Sequence, residues 1–295
     1  MSDRPGPGLH RAFPEDAYHR LPYLSRSQLV EMRRSPAHCW AARKKPGEPT
    51  PAMILGRAIH TALLEPEVYS ERFAVRPPEI TRAGTKAHTA WVDDELGDRT
   101  ELTHRDDATA MAIATKALSE PSTSALLECE GETELTVIWD DAETGVRLRA
   151  RLDRFIEGAM GGVILDPKST VDASPDGFQG ALGRYNYHWQ AAVYMDGMKA
   201  CGVDVRSFAF MAFEKVEPYA SAIYLLDEES IEQGRTEYRI ALRRFAECER
   251  TGHWPGYGTN PITIGLPHWR QLKAKGGIVP FGRPSVEART WEVSP

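Results

Sequence analysis

Between residues 133 and 168 the chain drops helical spacing and alternates. TELTVIW (133–139), VRLRARLDRFI (146–156) and VILDPK (163–168) each read as a strand, joined by the turn-rich links DDAETG and EGAMGG. Three strands in succession demand a sheet, and a sheet must be covered. Helical patterns supply the cover on both sides. One starts at Ser25, a good N-cap, with Leu29 and Met32 at helical spacing, and Pro36 stops it or starts the next. Another fills 51–64 behind Thr50 and Pro51, and a third fills 107–128. After the three strands come a helix over 187–201, strands at 206–214 and 219–226, and a long amphipathic helix over 228–250. The expectation is an α/β fold with a mixed central β-sheet flanked by helices.

The rest of the chain is less regular. Residues 1–20, rich in Pro, Gly and charge, read as a flexible N-terminal arm. Residues 77–106 read as a long loop with one short helix. One domain over 21–270 follows, with a last helix at 267–273 and a tail over 271–295.

The middle pair of strands carries the chemistry. In 146–156, Arg147, Arg149, Arg151 and Asp153 share a face; in 163–168, Ile164, Asp166 and Lys168 share one. A symmetric EGAMGG loop sets Phe155 against Ile164, Asp153 against Asp166 and Arg151 against Lys168. Directly opposed side chains stand about 5 Å apart at Cβ, so the two carboxylates repel. A divalent cation offsets that repulsion, and oxygen ligands suit Mg²⁺ or Mn²⁺. Lys168 could orient or help deprotonate water, or stabilise charge on a phosphate. A symmetric DDAETG loop sets Glu134 against Arg151, diagonal to Asp153; a slip of one residue would turn it away. Asp-x-Lys on a strand is by itself a weak signal, and charge alternation usually marks a solvated face.

Composition sets bounds. With 41% hydrophobic and 26% charged residues the chain reads as globular. It has no membrane-length apolar run and no apolar leader after MSDRPGPGLHRAF, so the cytoplasm is the expected compartment. Cys39, Cys129, Cys201 and Cys248 form no CxxC pair, so neither a zinc nor an iron–sulfur cluster is expected. A net charge of −6 argues against a broad nucleic-acid-coating surface and leaves room for a local basic channel around an acidic site.

The segment RLDRF…GGVILDPKST resembles the core of PD-(D/E)XK nucleases, which have a restriction-endonuclease-like fold. The resemblance implies that Asp153 and Asp166 bind metal and that Lys168 works on the attacking water. Gly56-Arg57-Ala58-Ile59-His60 resembles the GxxxH helix of the RecB-like branch, which implies His60 as a metal ligand. Gly56 would let a neighbour approach closely there. Gln190-Ala191-Ala192-Val193-Tyr194 resembles that branch's QxxxY motif, with Tyr187 one turn before. Together with Ser27-Gln28-Leu29, Ser35-Pro36-Ala37-His38, GRAIHTALLEP and Asp166-Pro167-Lys168-Ser169-Thr170, these are most similar to the exodeoxyribonuclease VIII (RecE) group.

That likeness implies one or two Mg²⁺ or Mn²⁺ ions held by His60, Asp153, Asp166 and the Pro167 main-chain carbonyl, with Glu134 as a further ligand if the register brings it in. Gln190 and Tyr194 would act beside the scissile phosphate or hold Lys168. Arg149, Arg151, Tyr187 and Ser27 would contact linear double-stranded DNA. It further implies 5′→3′ digestion leaving 3′ overhangs, a homo-oligomer of ring form and a RecT-like single-strand annealing partner. Three rivals stay open: a nuclease of other polarity or substrate on the same fold, an inactive DNA-end-binding module, and a metal enzyme acting on a non-nucleic substrate, which the arginine row disfavours.

Overall fold

The structure is a computed structural model that describes residues 4–44, 47–258 and 260–266. The chain divides into two units, Met1–Gly256 and Tyr257–Pro295. Every element named below belongs to the first. The expected helix at 267–273 and tail at 271–295 lie outside the described residues.

In chain order the elements are β1 (Gly8–His10), α1 (Glu15–Arg20), β2 (Leu24–Ser25), α2 (Arg26–Val30), α3 (Pro36–Lys44), α4 (Pro51–Leu64), α5 (Tyr69–Arg72), β3 (Phe73–Val75), α6 (Lys86–Trp91), β4 (Thr100–Leu102), α7 (His104–Ser119), α8 (Pro121–Glu128), β5 (Glu132–Asp140), β6 (Arg147–Ile156), β7 (Gly162–Thr170), α9 (Pro175–Tyr185), α10 (Tyr187–Ala200), β8 (Val205–Glu214), β9 (Ser221–Leu225) and α11 (Glu228–Thr251). Among the described residues, no helix is long and apolar enough to cross a membrane.

The central sheet runs β1-β5-β6-β7-β8-β9, with β2 beside β6. The pairings along it are antiparallel except β7–β8, and β2–β6 is also parallel. The fold is therefore the expected mixed sheet flanked by helices. Both sheet faces are buried, and β8 shows why. Its Phe208, Phe210 and Ala212 enter one core with α10 and α11, while Ala209, Met211 and Phe213 enter a second with α4 and α7. A strand apolar on every residue can only lie between two layers.

Helix starts follow local chemistry. Ser25 caps α2 in a capping box with Gln28, and Thr50 caps α4 with Pro51 in its first turn. The expected single helix over 107–128 is two. Glu120 is extended (φ −96°, ψ 122°) because the ring of Pro121 disfavours a helical residue before it.

Three further expectations differ from the structure. Within the stretch read as a loop, β4 pairs with β3 in a small parallel sheet. α9 went unread because Gly177, Gly180 and Gly183 dilute its pattern, although Ser174 caps it and Pro175 opens it. The stretch read as a flexible arm contains β1, paired antiparallel to β5 from Gly8/Ile138 to His10/Thr136, and α1, whose Tyr18 is buried. α1 suits a helix dipole, with Glu15 and Asp16 in its first turn and His19 and Arg20 in its last.

Candidate active site

The site forms where the central hairpin comes apart. β6 and β7 pair at Ile156/Val163, Phe155/Ile164 and Arg154/Leu165, and the ladder then stops. Beyond it β6 keeps β5 and takes up β2 at Leu148 and Arg149, while β7 stays with β8 as far as Thr170. Asp153 and Asp166 are the first residues past the split. The expected Phe155/Ile164 pair is formed; the expected Arg151/Lys168 pair is not, because the strands have already parted. Pro167 has no N–H for a ladder, and it sits where β7 has lost β6 as a neighbour. Strict alternation also fails here. Leu152 and Phe155, three apart, lie in the same core, so β6 turns about its axis at Asp153 and Arg154.

Asp166 is 1% exposed. Gln190 Nε2 donates to its Oδ2, and the Lys168 ammonium forms an ion pair with its Oδ1. Burial pushes its pKa up to about 6; Lys168 pulls the other way and Asp153 adds to the rise. Asp153 Oδ2 stands 3.4 Å from His60 Nδ1. Burial works against the Asp153 charge, but His60 and Lys168 outweigh it and hold the carboxyl below its ordinary value. The converse holds for the cations. Burial would lower both, yet Asp153 keeps the His60 pKa raised, and Asp166 with Asp153 keeps that of Lys168 raised.

Glu134 enters by a different register from the expected one. Thr133 faces Arg154 and Leu135 faces Leu152, so Glu134 falls opposite Asp153 and not Arg151. The slip is two residues, which preserves the face. Glu134 itself has φ 53°, in the left-handed region, and Arg151 Nε donates to its carboxylate. Burial and the charge of Asp153 raise its pKa against the pull of Arg151.

The arginine row is roofed. Arg149 is 5% exposed, donates to the Tyr18 carbonyl and lies 4.6 Å from the centre of the Tyr18 ring. It anchors α1 and is covered from solvent there. Arg151 also donates to the Phe13 carbonyl at 3.0 Å. The polarity of residues 1–20 hid this packing. Glu15 extends it, lying 3.0 Å from Arg57, one turn before His60 on α4. The Glu15 pKa is held down to about 2 by His19 and, against burial, by Arg57.

The remaining candidates sit around this centre. The Tyr187 ring lies 5.2 Å from Lys168 Nζ and stacks on Phe178 and Tyr185. Tyr194 packs near Phe208, and burial holds its phenol well above the ordinary value. Ser27 is exposed in the first turn of α2, its hydroxyl 3.0 Å from that of Ser25. No neighbour makes the close approach expected at Gly56; a Cβ there would meet only open space.

Whether these side chains suit a divalent cation is a matter of donor chemistry. Two carboxylates and one imidazole form an oxygen-rich set of the kind Mg²⁺ or Mn²⁺ takes. Asp166 Oδ1 is buried and already faces the Lys168 ammonium, so a cation there would share or take over that contact. The set fits. Among the described residues, no three His, Cys, Asp or Glu side chains are already gathered as a metal centre.

The fold agrees with comparisons to known proteins. Residues 25–261 match the family model described as a PDDEXK-like domain of unknown function (DUF3799). A crystal structure of a candidate exonuclease from Eubacterium rectale superposes with a TM-score of 0.61, covering 91% of this chain and 100% of that one at 11% identity. A second structure, of the protein SSO0001, reaches a TM-score of only 0.26 over 65% of this chain and 88% of that one, at 15% identity. No curated protein sequence matches the chain.

Proposed function

This chain belongs to the PDDEXK-like DUF3799 family, and on that footing we propose that it is a divalent-metal-dependent exodeoxyribonuclease acting on ends of linear double-stranded DNA. The observation that carries the reading is the parted hairpin. It brings Asp153, Asp166 and Lys168 together with His60 from α4 and Gln190 from α10.

His60, Asp153, Asp166 and the Pro167 carbonyl would hold the cation, Mg²⁺ or Mn²⁺, as one ion or two. Glu134 would join them only by releasing Arg151. The cation, when bound, supplies positive charge at the scissile phosphate and acidifies a water. In the metal-free site two carboxylates raise the Lys168 pKa. Lys168 orients the attacking water and neutralises phosphate charge. Gln190 fixes the rotamer of Asp166, and Tyr187 limits where Lys168 can point. Tyr194, Arg151 and Ser27 are proposed to line the path of the DNA strand, with Arg151 released from Glu134 when a phosphate arrives.

Residues 21–270, with the strand and helix of residues 8–20 added, are the proposed nuclease domain. The likeness to the exodeoxyribonuclease VIII group supports the finer reading: 5′→3′ digestion leaving 3′ overhangs, a homo-oligomeric ring and a RecT-like annealing partner. Duplex labelled at one 5′ end or one 3′ end tests the polarity. Early release of the 5′ label supports it, and early release of the 3′ label keeps the nuclease but reverses its direction.

A further inference from the structure

Gln190 hangs from a joint between two helices. α9 ends at Tyr185, Asn186 takes the left-handed conformation (φ 55°, ψ 45°), and α10 begins at Tyr187. The Asn186 carbonyl accepts the backbone N–H groups of Trp189 at 3.1 Å and Gln190 at 3.3 Å. A third donor reaches the same joint from another part of the chain. Arg26, the first residue of α2, donates from Nη2 to the carbonyls of Tyr185 and Asn186, each at 2.5 Å. Arg33 donates to Asn186 Oδ1, and its guanidinium lies 5.6 Å from the centre of the Trp189 ring.

The contacts make physical sense. A helix leaves its last carbonyls without partners and carries partial negative charge there, so a cation is favoured. A single-residue left-handed link is easily deformed unless its carbonyls are held. From Arg26 to the reacting centre there are three links: guanidinium to Asn186 carbonyl, that carbonyl to the Gln190 N–H, and the Gln190 side chain to Asp166.

We propose that Arg26 is a positioning residue for the catalytic centre, setting the start of α10 so that Gln190 meets Asp166. The inference rests on the nuclease reading of that centre. Both bonds leave one nitrogen, Nη2; lysine offers a donor nitrogen too, but on a flexible stem without the rigid guanidinium plane that aims it at both carbonyls. Loss of a residue that orients a metal-site ligand typically costs about 10–100-fold.

The test uses the full chain with Arg26→Ala, Arg26→Lys, Gln190→Ala and the Arg26→Ala/Gln190→Ala double variant, each checked for folding by circular dichroism. Arg26→Ala and Arg26→Lys are expected to lose kcat on linear duplex by about 10–100-fold with little change in KM. Added guanidinium should restore part of the Arg26→Ala rate, and the double variant should be no slower than Gln190→Ala alone. Unchanged kcat in Arg26→Lys, losses that multiply in the double variant, or no response to guanidinium in a folded Arg26→Ala would each overturn the proposal. If Arg26→Ala does not fold, Arg26→Lys and its double with Gln190→Ala decide by the same criteria. Should the wild type cut no DNA, the nuclease reading fails but the positioning link is still read by NMR. The Gln190 side-chain amide, assigned by its absence in Gln190→Ala, should move toward the free-glutamine position in Arg26→Lys; an unmoved resonance would overturn the link.

Discussion

The side chain of Gln190 donates to a nearly inaccessible carboxylate, beside the Lys168 ammonium that also favours its charged form. Gln190→Ala leaves Asp166 Oδ2 buried and removes its neutral partner. A hydrogen bond to a charged group is worth about 1.5–3 kcal/mol, and one pKa unit corresponds to about 1.4 kcal/mol. The donor favours the ionised form, so its loss favours the proton. The Asp166 pKa, about 6 in the intact site, should therefore rise by about 1–2 units. At sub-saturating divalent metal, proton and cation compete for this carboxylate. The acid limb of the pH–rate profile for linear duplex digestion should then move up by about 1–2 units in Gln190→Ala, with a smaller change on the alkaline side. Initial rates of wild type and variant across the acid limb measure this directly. An acid limb that overlays the wild type, or moves down, would refute the claim that Gln190 helps Lys168 hold Asp166 in its charged form.

Other consequences are open to measurement. In the metal-free protein His60 should titrate above the ordinary histidine value, and Asp153→Asn should lower it, as read by imidazole NMR; with the folded His60 pKa raised and that of Asp153 lowered, the stability from this pair disappears as pH rises through the first or falls through the second. Gly234→Ala places a Cβ 2.3 Å from the His188 carbonyl oxygen, a backbone atom that cannot swing aside. Chemical denaturation should show a loss of about 3 kcal/mol, and a loss under about 0.5 kcal/mol would contradict the close approach of α10 and α11. Tyr18→Ala should cost about 3 kcal/mol of stability, whereas a loose arm would lose nothing measurable.

The sheet and its cover were legible because strand period and cap chemistry are local. VILDPK announced a buried strand with a carboxylate at its end, and Ser25, Thr50 and Pro51 marked helix starts that the structure keeps. The pairing of Phe155 with Ile164 followed from loop symmetry. What escaped depends on contacts distant in sequence. The parting of β6 from β7 has no signal in either strand; it depends on β2 entering beside Leu148, more than a hundred residues away in the chain. The turn between β5 and β6 is not symmetric about DDAETG. The Asp141 N–H bonds the Val146 carbonyl, which moves the register by two and brings Glu134 to Asp153. Residues 8–20 looked soluble because their buried contribution is one tyrosine laid over two arginines, a contact that polarity conceals. Arg26 carries no sequence signal of its contact, since nothing near it in sequence points to Asn186.

A digestion time course tests the central claim most directly. Pure protein is incubated with linear duplex, the same plasmid as a closed circle, and single-stranded DNA, with Mg²⁺ or with EDTA, beside a folded Asp166→Ala variant. The account predicts loss of the linear duplex alone, only with metal and only in the wild type. Equal cutting of the closed circle would contradict end-dependence, and digestion that survives in Asp166→Ala would contradict the catalytic centre itself.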